Sequence, residues 1–479
     1  MGTPRSRRSG CVLAVLAALA LAGCGRDLTP KITTEIQQRT AAAPPSPLSA
    51  AVWTDVQRFY AQRMHAPRWV LDGEEAQIEA ALRVVARAPD HGLVAADYGE
   101  ANLPRPLPSK PSIQESLGED VLKIARLDLQ ITTALLALGR DVAVGRTRPT
   151  AIDPHWKAAR PVPDLAASLA AAANAGRLDG WLDTVRPVHP EYAALQTALA
   201  ALRTQLGNDG AGDARVQRLA LNLERWRWLP DDLGARHILV NIPAFRMAVR
   251  EGGRPALEMK VVVGTQERVT PVFSGRMDTI VFSPYWNVPD SIAEGETAPS
   301  AARDPRFLAR NNIEILRRGP DGVSTVNPES VDWGDSDAIK ALAFRQKPGA
   351  SNALGHVKFL FPNPYEVYLH DTPADALFAR TRRAFSHGCV RLEKPEALAS
   401  YLLRDDPNWD AERIETAMHQ DEERHVAMKE KLPVHIVYFT AWPDGAGGVQ
   451  TFPDVYGYDT KQSASPATRG HAKASSSAD

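Results

Sequence analysis

The stretch HDTPADALFARTRRAFSHGCVRL, residues 370–392, decides how this chain is read. It puts His370 at its head and then Ser386, His387, Gly388, Cys389, Val390 and Arg391 in one run. A cysteine attacks as its thiolate, and an ordinary thiol, with a pKa of roughly 8.5, is mostly protonated at neutral pH, so a base or a cation must stand nearby. Imidazole can take the thiol proton and later deliver it to a leaving amine. His370 ends the strand-like run YEVYLH, and the residues between it and Cys389 suffice for a loop and a return into the same cleft. His387 competes, because residues two apart share a side where the backbone is extended. Gly388 between them breaks that geometry, which ranks His370 first as base. Gly388 also admits backbone angles closed to other residues and so can turn the Cys389 amide towards the oxygen of a tetrahedral intermediate. Arg391 is close enough in sequence to hold a carboxylate or favour the thiolate. These residues point to covalent acyl transfer by a cysteine.

Blander readings exist for the same residues. A lone cysteine is usually an inert, small hydrophobe, and Ser-His-Gly can be only a polar turn. One cysteine and two histidines could make an open zinc site, but neither an HExxH helix nor a CxxC pair is present. No metal and no organic cofactor is expected.

Of the three cysteines, Cys11 and Cys24 lie near the N-terminus. Arg5, Arg7 and Arg8 precede an apolar run from Cys11 to Ala22, which reads as a secretory signal over 1–23. The run is shorter than the roughly 20 residues a membrane-spanning helix needs. Leu21-Ala22-Gly23-Cys24 resembles the bacterial lipobox, which implies lipidation of Cys24 and a body held at a membrane surface in the periplasm. Glycine after Cys24, by resemblance to enterobacterial lipoproteins, favours the outer membrane. Cys389 is then the one cysteine of the globular part, so no internal disulfide is available. With 56 basic and 57 acidic residues and no long basic block, a nucleic-acid partner is not expected.

Residues 24–49 are polar and then rich in proline and alanine (TAAAPPSPLSA), the composition of a disordered tether. From 50 to 206 apolar residues recur at three- and four-residue spacing, as in AAVWTDVQRFYAQR, predicting an all-helical domain. The polar GNDGAGD at 207–213 marks a boundary. Beyond it, 216–459 turns to short β-branched and aromatic runs. FRMAVRE and LEMKVVVG around Gly252 and Gly253 predict a hairpin. A helix-like insertion near Ser291 to Ile315 and a polar loop after it interrupt the strands over about 291–345, and loops this long are usually functional lids or poorly ordered. The tail 460–479 has a low-complexity, disordered composition. The fold class is therefore α+β and multidomain: an all-helical domain followed by a mostly-β one with a helical and loop insertion.

The segment 370–392 resembles the signature of L,D-transpeptidases, cysteine enzymes of peptidoglycan in which a histidine precedes Ser/Thr-His-Gly-Cys by some fifteen residues. LNLERWRWLP at 221–230, PYWNVPDSI at 284–292, KPGASNALGHVKFLFPN at 347–363 and FPDVYGYD at 452–459 are similar to the larger Gram-negative branch. FYAQR and HGLVAADY look like that branch's scaffold domain. The resemblance implies Cys389 as nucleophile and His370 as base, with Asp371 orienting the histidine through its carbonyl. It implies Tyr368 and the amides at Gly388 and Cys389 as the oxyanion region. Arg391, Trp286 and Ser386 would then line the acyl-donor cleft, and the insertion over about 291–345 would be a cap. One departure stands out: larger relatives commonly insert a peptidoglycan-binding module between the two domains, and no such module fits between Arg203 and Val216.

The reaction so implied is attack on the third residue of a stem tetrapeptide, release of D-alanine, and transfer to a diaminopimelate amine to give a 3-to-3 cross-link. Hydrolysis of the same thioester, as an L,D-carboxypeptidase or endopeptidase, is the nearest alternative. A catalytically silent wall-binding scaffold is the other. Stem peptides and a membrane are the expected partners, with cell-wall synthesis proteins meeting the helical domain.

Overall fold

The computed structural model describes residues 28–45, 48–70, 75–99, 117–157, 159–207, 212–304, 306–320 and 322–465. Cys24, the segment 1–23 and residues 466–479 lie outside the described residues.

Among its described residues the N-terminal part contains helices and no strand, with helices Ala50–Ala61, Glu75–Ala86, Leu117–Val144, Leu165–Asn174, Trp181–Val185 and Pro190–Leu206. In the first of these, Val52, Val56, Phe59 and Tyr60 face the core at helical spacing, and the Ser49 side chain caps the start by accepting from the Val52 amide. Buried Asp128 ties the bundle together. Its carboxylate accepts from the Tyr60 hydroxyl at 2.6 Å and from the Arg68 and Trp69 amides at 2.9 and 2.7 Å, which offsets the cost of burying it. One expectation fails here: residues 29–41, placed in the tether, form the helix Thr29–Ala41. Ile32 and Ile36, four residues apart, bury themselves in the scaffold core, and a segment with an apolar stripe has something to gain by folding.

The helix Ala214–Trp226 and the residues after it join the two parts. Glu224 accepts from the Arg146 and Thr147 amides at 2.5 and 2.7 Å and pairs with Arg227 at 2.6 Å. Arg225, 1% exposed, reaches Asp459 at 2.7 Å and lies 5.2 Å from the Tyr438 ring centroid. Buried charges of this kind persist only when paired and hydrogen-bonded. They also draw in the chain's end: Gln462, in the helix Tyr458–Ala464, accepts from Arg225 at 3.0 Å. Residues 460–464, expected in a disordered tail, therefore belong to that helix.

The C-terminal part is a sheet built from β1 (Arg236–Asn241), β2 (Arg246–Glu251), β3 (Arg254–Gly264) and β4 (Phe273–Phe282), then, beyond the cap, β9 (Val357–Leu360), β10 (Leu369–His370), β11 (Ala384–Ser386), β12 (Val390–Leu392) and β13 (Arg424–Val437). The order is β11-β3-β12-β10-β9-β4-β13-β1-β2, and β2 pairs with β3 as well, which closes the sheet on itself. The β2–β3 hairpin turns at Gly252 and Gly253, both at positive φ. Inside lie Ile238, Val240, Val261, Val263, Ile280, Phe359, Leu369, Val390 and Val434. Trp156, from the N-terminal part, joins that core edge-on to Trp228 at 5.0 Å.

Between β4 and β9 the chain makes the cap. Short helical turns run from Asp290 to Arg310, and a separate sheet joins β5 (Trp286–Asn287), β6 (Ile313–Gly319), β7 (Gly322–Val326) and β8 (Ala343–Gln346) in the order β5-β8-β6-β7. The cap has a core of its own, with Val288, Leu308, Ile315 and Phe344 buried. The polar loop around Gly319 and Pro320 is thus the turn of the β6–β7 hairpin.

Candidate active site

β10 and β12 run parallel, with Leu369 opposite Val390 and His370 opposite Arg391. Opposed residues share a face and every second residue repeats it, so Tyr368 and His370 on one strand face the same way as Cys389 and Arg391 on the other. This two-by-two array is the centre of the site. The Val390 amide donates to the Tyr368 carbonyl at 3.1 Å, which locks the register where Cys389 begins.

The turn before Cys389 is held from inside. Gly388 has φ +120°, open to glycine and strained for other residues. The Ser386 hydroxyl donates to the Cys389 carbonyl at 2.5 Å and accepts from the Gly388 amide at 3.1 Å. Ser386 is 2% exposed, so it braces the turn and does not line the cleft as the resemblance implied. The Gly388 amide, expected among the oxyanion donors, is likewise engaged by Ser386. The Cys389 amide has no protein acceptor among the described residues and is the one left to face substrate.

Two supports escaped the sequence reading. The Thr270 hydroxyl donates to the Gly388 carbonyl at 2.7 Å and accepts from the Gly264 amide at 2.8 Å. The Tyr456 hydroxyl accepts from the Thr270 amide at 3.1 Å and donates to the Gly264 carbonyl at 2.9 Å. Tyr456 lies in FPDVYGYD, a motif singled out only for its resemblance, and the partners are far apart in sequence.

His370 is 4% exposed, and its Nδ1 lies 2.5 Å from the Asp371 carbonyl oxygen. A carbonyl only accepts, so Nδ1 carries the proton and Nε2 is the basic nitrogen. Burial, and then the Arg391 guanidinium, push the imidazole down to about 3, against the pull of the Asp371 and Leu354 carbonyls. The Asp371 carboxylate does separate work, accepting from the His356 and Thr372 amides at 2.7 Å each. Gly355 makes room for it, since a Cβ there would come within 2.3 Å of the carboxylate.

Burial pushes the Cys389 thiol up to about 11, although the Tyr368 amide and hydroxyl and the Arg391 charge favour the thiolate. The thiol lies 3.8 Å from the Glu366 carbonyl oxygen, and no hydrogen bond joins it to the His370 ring among the described residues. The Tyr368 ring lies 5.7 Å from the His370 ring centroid, and burial raises its hydroxyl above the usual phenol range. Arg391 has no carboxylate partner among the described residues, and its Nε makes no hydrogen bond. A free guanidinium beside a thiol suits a site that receives an anion.

His387, the competing base, turns away. Its Nε2 lies 2.7 Å from Glu296 Oε1 in the π-helical turn Ala293–Thr297 of the cap, and Arg268 pairs with the same oxygen at 3.3 Å. Trp286 stands in β5 opposite Gln346 and packs on the cap core. Among the described residues no group of His, Cys, Asp and Glu could hold a metal ion.

Residues 54–199 match the scaffold domain family and residues 235–416 match the L,D-transpeptidase catalytic domain family. A Haemophilus influenzae protein named "Putative L,D-transpeptidase" is 37% identical over 244 residues, which is 51% of this chain and 48% of that protein, so the chain spans about half the length of the curated relative it matches. Solved structures of an L,D-transpeptidase from Mycobacterium smegmatis and of L,D-transpeptidase 3 from Mycobacterium tuberculosis each align with 42% of this chain and with 58% and 60% of their own. Their identities are 13% and 14% and their TM-scores 0.21 and 0.20. The chain therefore carries a scaffold domain followed by an L,D-transpeptidase catalytic domain.

Proposed function

We propose that this protein is a peptidoglycan L,D-transpeptidase that forms 3-to-3 cross-links. The observation that carries the reading is the single face shared by Cys389, Tyr368, His370 and Arg391. In the resting site the thiol is protonated and the imidazole neutral, so the proton moves as substrate arrives. Sγ attacks the carbonyl of the third residue of a stem tetrapeptide, and His370 Nε2 takes the thiol proton. In this reading the Cys389 amide and the Tyr368 hydroxyl receive the oxyanion. Collapse of the intermediate breaks the peptide bond; His370 gives its proton to the departing D-alanine amine, and a thioester remains. The amine of a second stem's diaminopimelate then attacks the thioester, loses its proton to His370, and restores the thiol. Arg391 offers a charge for a stem carboxylate.

The same proposal places the protein in the periplasm, tethered by lipid on Cys24, with its helical domain free to meet cell-wall synthesis proteins. Support for the anchor is the sequence Leu21 to Cys24 alone.

Intact-protein mass spectrometry after mixing the protein with disaccharide-tetrapeptide, joined to product analysis, tests the reading. A thioester on Cys389 together with dimeric product is expected. An adduct with trimmed monomer alone would replace transpeptidation by hydrolysis, and the absence of any adduct would favour the silent scaffold.

A further inference from the structure

Beside the array of four residues lies an ion pair that the mechanism does not use. Lys358 on β9 is the register partner of His370, on the side opposite Arg391. Its Nζ lies 3.1 Å from Glu423 Oε1, and the two side chains are only 13% and 22% exposed. Such a pair must do more than meet itself to offset its desolvation.

Both partners close on one residue, Tyr285. Glu423 Oε1 accepts from the Tyr285 amide at 3.0 Å, and Lys358 Nζ donates to the Tyr285 carbonyl at 3.3 Å. The pair therefore satisfies both main-chain groups of the residue immediately before β5, where the chain leaves the barrel and enters the cap. Glu423 is steadied in turn by His425 at 3.0 Å. From the cap side, the Arg345 guanidinium lies 4.5 Å from the Tyr285 ring centroid and pairs with Glu314. Tyr285 is thus gripped from the barrel through its backbone and from the cap through its ring.

We propose that Lys358 and Glu423 are positioning residues that clamp the entry of the cap, at Tyr285 and Trp286, to the strand next to the one bearing His370. Trp286 follows directly on the clamped residue, so the clamp sets how far the cap side of the cleft stands from Cys389. The role in substrate capture rests on the function proposed above; the clamp itself does not. An open root would leave the chemistry intact and weaken binding, because the reacting groups sit on β10 and β12 while the cap supplies only a wall.

The test uses the full chain with Lys358→Met, Glu423→Gln, the double variant and Lys358→Arg, and two readouts. In amide hydrogen exchange, peptides covering 284–287 exchange at least about tenfold faster in the first three variants, while scaffold peptides stay unchanged. In imipenem acylation of Cys389, followed by intact mass, the half-saturating concentration rises about tenfold and the maximal rate stays within about threefold. The double variant is no worse than the weaker single one, because the two side chains act as one unit. Lys358→Arg, which keeps a donor and a charge, restores both readouts most of the way. Unchanged exchange at 284–287, faster exchange spread over the scaffold, additive losses, or a fall confined to the maximal rate would each overturn the clamp. Wild-type protein that takes no imipenem while the variants still loosen 284–287 would remove the proposed function and leave the clamp standing.

Discussion

His387 Nε2 lies 2.7 Å from Glu296 Oε1, so the histidine closest in sequence to Cys389 faces the cap rather than the thiol. His370, distant in sequence, shares the face of Cys389 through strand register. His387→Gln should keep the rate of imipenem acylation within about threefold, whereas His370→Gln should lower it at least about a hundredfold, the usual worth of a general base. Timed intact-mass spectra at neutral pH measure both. Equal losses in the two variants would return the base role to open competition.

Cys389→Ala should abolish acylation and turnover without unfolding the protein. The side chain lies at the cleft and packs little of the core, so the thermal midpoint should move by no more than about 2 °C, as for substitutions away from core packing. Residual cross-linking by a clean preparation would sink the nucleophile assignment.

Thr270→Val keeps the volume of the side chain but removes the bond to the Gly388 carbonyl and leaves the Gly264 amide without its partner. A buried pair of bonds lost this way costs about 1–3 kcal/mol. Because Gly388 sets the pose of Cys389, acylation should also slow about tenfold. A variant that melts lower yet acylates at the wild-type rate would show that Thr270 supports the fold and not the nucleophile.

How much of this was legible in the sequence depends on how far apart the partners lie. The helical-then-β order could be read from local runs, because each run carries its own periodicity or turn, and the run ending at Cys389 already held the candidates His370 and His387 that strand register then separates. The bracing of Gly388 by Thr270 and Tyr456 could not, since it joins three segments that only the closed sheet brings together. The resemblance implied Ser386 as a cleft residue, but its hydroxyl points back into its own turn. The helix Thr29–Ala41 was hidden by the proline- and alanine-rich composition after it, which outweighed the single pair Ile32 and Ile36. Glu224, Arg225 and Arg227 resemble a solvated face, and are buried because their partners arrive from Arg146, His91 and Asp459.

Two glycines should separate steric need from backbone freedom. At Gly355 a Cβ would meet the Asp371 carboxylate at 2.3 Å, whereas at Gly252 it would meet open space, both residues having positive φ. Gly252→Ala should cost about 1 kcal/mol, the conformational penalty alone. Gly355→Ala should cost at least about 3 kcal/mol, because the carboxylate must leave the His356 amide or the backbone must shift. Urea unfolding of the two variants compares them directly; similar midpoints would mean that Asp371 moves aside cheaply.

Acid should weaken the fold through its buried histidines, and His435 shows the sign. Its Nε2 donates to the Leu233 carbonyl at 3.0 Å, and its Nδ1 accepts from the Ser274 hydroxyl at 2.8 Å, so the neutral ring is fully satisfied. Burial lowers its pKa to about 4 from an ordinary value of 6.5, with His237 and His189 adding to the effect. Between those two values the unfolded chain binds a proton that the folded one refuses. The stability this group contributes is therefore full above pH 6.5 and lost as pH falls towards 4, an interval worth about 3 kcal/mol. His91, His189, His237 and His370 are shifted the same way by burial and steepen the loss. His435→Gln can keep both hydrogen bonds and cannot charge. The difference in thermal midpoint between pH 7 and pH 4.5 should accordingly be smaller in this variant than in the wild type. An identical difference in the two proteins would mean that His435 stays neutral across the window or charges without cost.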